Sequence, residues 1–204
     1  MTAPDDKLRS VALRDTRAVD DLLPPDPPLT GQRVRLRPFR PDDAAAIVES
    51  CRSGDIMRYT MMPDDMTLDL AHAWIERSIE WWPRGLARFA VVTPSSDRCV
   101  GQIGAHIDPQ HRRAEVFYWL DARVRGRGLV TEGLQLVVDW ISNDDRIRRI
   151  QLVTHLDNEA SHRVAQRCGF EREGVLRSWQ PTKGDQQPDV VMWSLLPRRP
   201  ARHP

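Results

Sequence analysis

Cysteine is scarce and scattered: the only three in 204 residues are Cys51, Cys99 and Cys168, far apart and with no C-x-x-C pair. That excludes a disulfide framework and argues against a zinc site. A reducing, cytoplasmic setting is the expectation. An excess of charge of either sign is also missing, since 30 Lys and Arg face 29 Asp and Glu for a net charge of +1. No global field gathers nucleic acid or a membrane surface, so neither is an expected partner. No stretch approaches 18 apolar residues, and the opening "MTAPDDKLRS" has no apolar core of a secretion signal. A soluble, non-secreted protein is expected. His72, His106, His111 and His155 lack metal-ligand spacing, so no metal is expected and no role is assigned to them.

What is present suits one domain with one site. The run "PPDPP" at 24–28 fixes an extended backbone with few amide donors. It separates a charged extension, residues 1–28, from a domain spanning 29–197, and the tail 198–204 is expected to be mobile. Within the extension Leu8, Val11, Asp15, Val19 and Leu22 recur at helical spacing, and helix and disorder both stay open there.

The domain alternates between periods. "RVRLRPF" (33–39) reads as a strand, Asp42 or Asp43 as the cap of a following helix, and 68–82 as a second helix. Three apolar runs, 87–92, 100–107 and 114–120, are separated by short turns and predict an antiparallel meander. A helix from about 129 to 142, a strand over 148–156 and a helix over 159–168 then predict a parallel β-α-β crossover. "GVLRSWQ" and "VVMWSLL" read as two closing strands around "TKGDQQP". The fold class is therefore α/β of the α+β kind, a mixed central sheet with flanking helices.

Between meander and crossover lies "RGRGLVTEG" (125–133), a glycine turn opening a helix. Unpaired N–H groups at the positive end of a helix dipole make a seat for phosphate or pyrophosphate. A Walker A loop is excluded because no Lys-Ser or Lys-Thr follows. A dinucleotide fingerprint fits poorly because Thr131 occupies the third glycine position after Gly126 and Gly128.

Taken together, "RLRPFRPDDA", "AEVFYWL", "RGRGLVTEG" and Asn158-x-x-Ser161 followed by Gly169-Phe170 resemble the GNAT superfamily of acyltransferases, most closely its RimJ/RimL-type branch of N-terminal acetyltransferases. The resemblance covers roughly Leu29 to Leu196 and implies acetyl-CoA as co-substrate. Its loop pattern fits in two registers, one through Arg123, Gly126 and Gly128, the other through Arg125, Gly128 and Val130. The second aligns Thr131-Glu132 and is preferred. It makes Arg125, Gly126, Arg127, Gly128, Leu129, Val130 and Thr131 the coenzyme loop, with Val130 expected to crowd the pyrophosphate. Phe117 stands where the branch has glycine and is expected to narrow the acceptor channel.

The resemblance also implies that strand 114–120 splays from its parallel neighbour, with backbone near Trp119 and Leu120 pairing with pantetheine. Asn158 would bond a pantetheine amide, Ser161 would protonate the leaving thiolate, and Arg167, with Arg163, would reach the adenosine phosphates. The plainer readings are a helix cap for Asn158 and a solvated face for the arginines. Glu115 is singled out as the catalytic base, being a carboxylate in an otherwise apolar strand; an ion pair with Arg112 or Arg113 is its plainer reading. Trp81, Trp82 and Tyr118 are taken as the acceptor wall, with core packing as the alternative. The implied reaction is attack of a primary amine on the acetyl-CoA carbonyl without a metal. An α-amine, with a pKa of about 7.8 against about 10.4 for lysine, reaches its neutral form more cheaply by roughly 3.5 kcal/mol. A protein N-terminus or a small-molecule amine is the expected acceptor, with a homodimer open as the assembly. The alternative functions are a non-catalytic acyl-CoA-binding or regulatory module and an acyltransferase that uses a larger acyl-CoA.

Overall fold

A computed structural model describes residues 22–52, 54–179 and 187–197. The readings made above for 1–21, for the tail and for most of the turn 182–188 lie outside them. The chain folds around an eight-stranded sheet ordered β1-β2-β3-β4-β5-β6-β8-β7. These strands are β1 (Leu29–Thr30), β2 (Arg35–Arg37), β3 (Leu86–Val92), β4 (Cys99–Asp108), β5 (Arg113–Leu120), β6 (Arg149–His155), β7 (Glu171–Leu176) and β8 (Val190–Leu195). Every neighbouring pair is antiparallel except β5 and β6. The expected meander is β3-β4-β5, and the expected crossover joins β5 to β6. The order at the far edge was not legible: β8 inserts between β6 and β7.

Five α-helices flank the sheet: α1 (Ala44–Cys51), α2 (Gly54–Tyr59), α3 (Leu68–Glu80), α4 (Leu129–Ser142) and α5 (Glu159–Arg167). Strand parity decides which layer each side chain meets. The odd residues Phe89, Val91, Ile103 and Ala105 and the even residues Ala114, Val116 and Leu120 join the larger core, together with Leu134, Val137, Val138 and Ile141 of α4. Burying each such aliphatic side chain contributes about 1.5–3 kcal/mol. The opposite face packs under α1 and α3, where Ala90, Val92 and Trp119 meet Ile47, Trp74 and Ile75.

Two local expectations are corrected. Strand β2 stops at Arg37 because Pro38 cannot donate to a ladder. Asp43 does not cap α1 by its side chain. The sequence Pro41–Asp43 first forms a 3-10 turn, and the Asp43 carboxylate is held by Arg37 Nη1 at 2.8 Å and by Arg40 N at 2.8 Å. The short α2 gave no periodic signal and was missed.

Candidate active site

The site begins where a sheet ladder stops. Strands β5 and β6 pair only at Arg113↔Arg149, Ala114↔Ile150 and Glu115↔Gln151; beyond that row they diverge. The gap opens into a cleft of about 1320 Å³, lined by Val116 to Leu120 on one side and by Leu152 to His155 on the other. Backbone groups of β5 that have lost their parallel partner can accept an extended ligand as an added strand.

At one end lies the glycine turn. Gly126 and Gly128 take φ of +77° and +75°, which side-chain-bearing residues adopt only with strain. Gly128 is the residue before α4, so the first N–H groups of a 14-residue helix face the cleft without intrahelical partners. Arg125, Gly126, Gly128, Leu129, Val130 and Thr131 line it. Arg125 donates from Nε to Leu120 O at 3.2 Å, tying the turn to the end of β5. Arg123, by contrast, is spent on Asp121 and Glu49. Val130 packs into the larger core and also lines the cleft. Glu132 accepts from the backbone N–H of Gln32 and, at 3.0 Å, of Arg33, fastening α4 to the β1–β2 turn. The loop thus fits a pyrophosphate through donors, dipole and clearance, since a Cβ added at Gly126 would meet nothing within 4 Å.

The α5 side carries a hydroxyl pair. Asn158 precedes α5 and accepts Ser161 N at 3.1 Å, so its plainer role as a cap is real, while both residues also line the cleft. Tyr118 OH and Ser161 Oγ are 2.6 Å apart. Burial pushes the phenol above its ordinary range, against the opposing bond to Ser161, so Tyr118 is a protonated donor at neutral pH. Taken above for the acceptor wall, Tyr118 lines the cleft from the strand face whose even-numbered residues Ala114, Val116 and Leu120 join the larger core. Arg163 and Arg167 line the same side of the cleft.

The other face of β4 and β5 presents Gln102, His106, Glu115, Phe117 and Trp119 to the cleft. Glu115 accepts Gln151 Nε2 at 2.9 Å and lies opposite His106 on β4. Arg112 and Arg113 do not pair with it. Arg113 instead leans to Asp108 at 3.7 Å. His106, given no role above, has a buried Nε2 without a partner, and burial lowers its pKa against the pull of Glu115 and Asp108. A period-2 pattern pairs no residues across strands, so register alone reveals this neighbour. Trp119 Nε1 donates to Gln102 Oε1 at 3.0 Å, and only 6% of Trp119 is exposed. The Phe117 ring lies over Gly104, where an added Cβ would meet it at 2.5 Å. Trp74, Arg77 and Trp81 of the α3 region form the opposing wall.

Trp82 is a correction. It is 2% exposed and edge-on to Phe89 at 5.0 Å and to Trp140 at 6.1 Å in the larger core. Pro83 follows it in a 3-10 turn (Trp82–Arg84) that directs its indole inward. Arg127 also stands outside the cleft lining. From α2, Arg58 pairs with Asp157 and the Tyr59 ring meets His155 at 5.3 Å, so this helix reaches the β6–α5 turn beside the gap.

A strand pair that parts after three residues, beside a glycine turn and a hydroxyl pair, defines an acyl-CoA-dependent transferase fold. Residues 33–171 match the acetyltransferase (GNAT) domain family, and the chain belongs to it. It is a GNAT-family N-acetyltransferase. Among related proteins, the uncharacterized N-acetyltransferase p20 of Bacillus licheniformis is 27% identical over 82% of this chain and 94% of its own. The ribosomal-protein-serine acetyltransferase of Escherichia coli is 33% identical over 46% of this chain and 52% of its own. Among solved structures, the microcin C7 self-immunity acetyltransferase MccE, in complex with acetyl-CoA and AMP, superposes with a TM-score of 0.74 at 20% identity, covering 81% of this chain and 93% of its own. RimL, the ribosomal L7/L12 α-N-protein acetyltransferase, in complex with coenzyme A, gives 0.72 at 22% identity, covering 81% and 95%.

Proposed function

We propose that the cleft transfers the acetyl group of acetyl-CoA to the α-amine of a protein N-terminus or small molecule, with Arg125 to Thr131 as the pyrophosphate seat and Glu115 as the base. The observation that carries this reading is the end of β5–β6 pairing at Glu115↔Gln151. It leaves a pantetheine-sized gap between the turn before α4 and the polar row at its base. Acetyl-CoA supplies an activated carbonyl and a thiolate leaving group; the rest falls to side chains and backbone of this chain.

Glu115, held by Gln151 Nε2, takes a proton from the incoming ammonium and leaves a nucleophilic amine. Freed N–H groups of β5 beyond the ladder stabilise the charge that develops on the carbonyl oxygen. As the C–S bond breaks, Ser161 gives its proton to the departing sulfur, and the second proton shed by the attacking nitrogen returns through the Tyr118 hydroxyl, its partner at 2.6 Å, so that both hydroxyls end neutral. Asn158 and the α5 arginines hold the coenzyme along its length. RimL and the ribosomal-protein-serine acetyltransferase, by name, act on ribosomal protein, which supports a polypeptide α-amine here. A cytoplasmic setting belongs to the same reading. It is supported by three buried cysteines outside any disulfide among the described residues, with the Cys99 and Cys168 thiols pushed up to about 12 and about 11 by burial. No helix among the described residues is long and apolar enough to cross a membrane.

The test is thiol release from acetyl-CoA with peptide α-amines, matched lysine side-chain amines and no acceptor, products being identified by mass. Acetylation at the α-amine, fastest among the three, is expected. Tight coenzyme binding with no acceptor-dependent thiol release would leave only a binding module.

A further inference from the structure

The acceptor half of the cleft contains a cation with no acidic partner among the described residues. Arg88, in the middle of β3, faces the α3 layer, and its guanidinium sits 5.0 Å from the Trp74 ring centre and 5.8 Å from that of Trp81. Among the described residues its hydrogen bond is a long one, 3.3 Å from Nη1 to Ser78 Oγ, a hydroxyl already donating to Trp74 O at 2.8 Å. The Nε–H is buried and finds no acceptor among the described residues. The residue is half-buried and lines the cleft. Burial pushes its pKa down to about 10 with no acidic group offsetting the fall, so it stays charged at neutral pH. Other arginines are treated differently: Arg37 is clamped by Asp43, Arg123 by Asp121 and Arg149 by Glu173. A half-buried, unpaired charge is costly, and ring stacking recovers only part of that cost.

We propose that Arg88 is the receptor for an oxyanion carried by the acceptor, a carboxylate or phosphoryl group that its planar fork clasps while the amine lies toward Glu115. This rests on the acceptor half of the cleft proposed above. Arg88 lies opposite Gly104, which lies opposite Phe117, so Arg88 and Glu115, two residues before Phe117, share one face two strands apart, roughly 12 Å at the backbone. The anion therefore sits several bonds from the reacting amine, as in a peptide whose second residue is acidic or phosphorylated. The Phe117 ring over Gly104 is the apolar floor between the two ends. A planar guanidinium binds either oxyanion through two donors, which an ammonium cannot reproduce.

The experiment uses three C-terminally amidated tripeptides, Ser-Glu-Ala, Ser-phosphoserine-Ala and Ser-Gln-Ala, as acceptors. Their N-acetylated forms serve as unreactive ligands for calorimetry on protein saturated with coenzyme A. The wild type should favour at least one anionic peptide over the Gln peptide by about tenfold in both kcat/KM and affinity. The stronger of the two identifies carboxylate or phosphoryl. Arg88→Gln should bring the ratio close to one at unchanged coenzyme affinity, and Arg88→Lys should keep part of it. Arg88→Met, which removes an uncompensated charge, should raise Tm by about 2–4 °C; a merely structural arginine would lower it. Equal treatment of the three peptides by the wild type, or a preference that survives Arg88→Gln, overturns the proposal. Loss of coenzyme binding in the wild type with anion preference intact would sink the transferase site and leave Arg88 standing.

Discussion

The two walls of the cleft are built on opposite principles. The wall made by the 125–131 turn, α4 and α5 is supplied largely by backbone, and several of its polar side chains are paired: Asn158 with Ser161 N, Ser161 with Tyr118, Arg125 with Leu120 O. The wall made by β3, β4 and α3 is supplied by side chains from separate segments, and polar groups there are left over. Of the four buried side-chain nitrogens without a partner among the described residues, Arg88 Nε and His106 Nε2 both belong to residues lining this wall. A ligand that is always the same can be met by a fixed backbone geometry. One that must be selected is met by unsatisfied groups that only the right partner completes.

The strongest way to break the comparison is Gly128→Glu. It forces a side chain onto a φ of +75° and sets a carboxylate against the anion seat, so acetyl-CoA binding should vanish in calorimetry of the folded variant. Affinity within about threefold of wild type, about 0.7 kcal/mol, would refute the seat. Next comes Glu115→Gln, which keeps an oxygen for Gln151 Nε2 but removes the proton acceptor. Turnover should fall about 100-fold with coenzyme affinity nearly unchanged, and the deficit should shrink at higher pH as the acceptor arrives neutral. Normal turnover from pH 6 to 9 would leave Glu115 a strand residue.

Ser161→Ala and Tyr118→Phe sharpen the paired wall. Each should lower kcat roughly 10-fold or more while coenzyme affinity changes less, and the double variant should lose no more than the worse single one if the two hydroxyls act as one relay. Equal losses of affinity and efficiency in Ser161→Ala would make the serine only a binding group. The smallest effect tests the unpaired wall. Burial lowers the folded pKa of His106, with Glu115 and Asp108 opposing and Arg113 reinforcing. The unfolded chain then takes up a proton near pH 6.5 that the folded one refuses, and stability falls as pH drops below that value. His106→Asn should flatten part of this slope below about pH 6.5 in denaturant titrations. His155, shifted in the same direction by burial, should retain the remainder.

Legibility divides along the same line. The turn and α4 could be read because every cue is local: glycines where φ is positive, then Leu134, Val137, Val138 and Ile141 at helical spacing. The meander was legible because its turns are too short for anything but antiparallel return. Trp82 was put in the wrong layer, since alternation tells which residues share a face and not what that face meets. His106 and Arg88 gave no signal at all. Their neighbours come from β5 and α3, distant in sequence and joined to them only by register and layer packing.

The sequence by itself determined the local geometry, namely the helix that opens at Gly128, the strands of the meander and the cap at Asn158, because backbone dihedral preference and short-range hydrogen bonds act within a few residues. Only the tertiary structure decided that β8 enters between β6 and β7, that pairing of β5 with β6 ends at Glu115, and that Arg88 lies between two tryptophan rings without a counter-charge. Those facts depend on which strands become neighbours and in what register, and that is settled by burial summed over the whole chain.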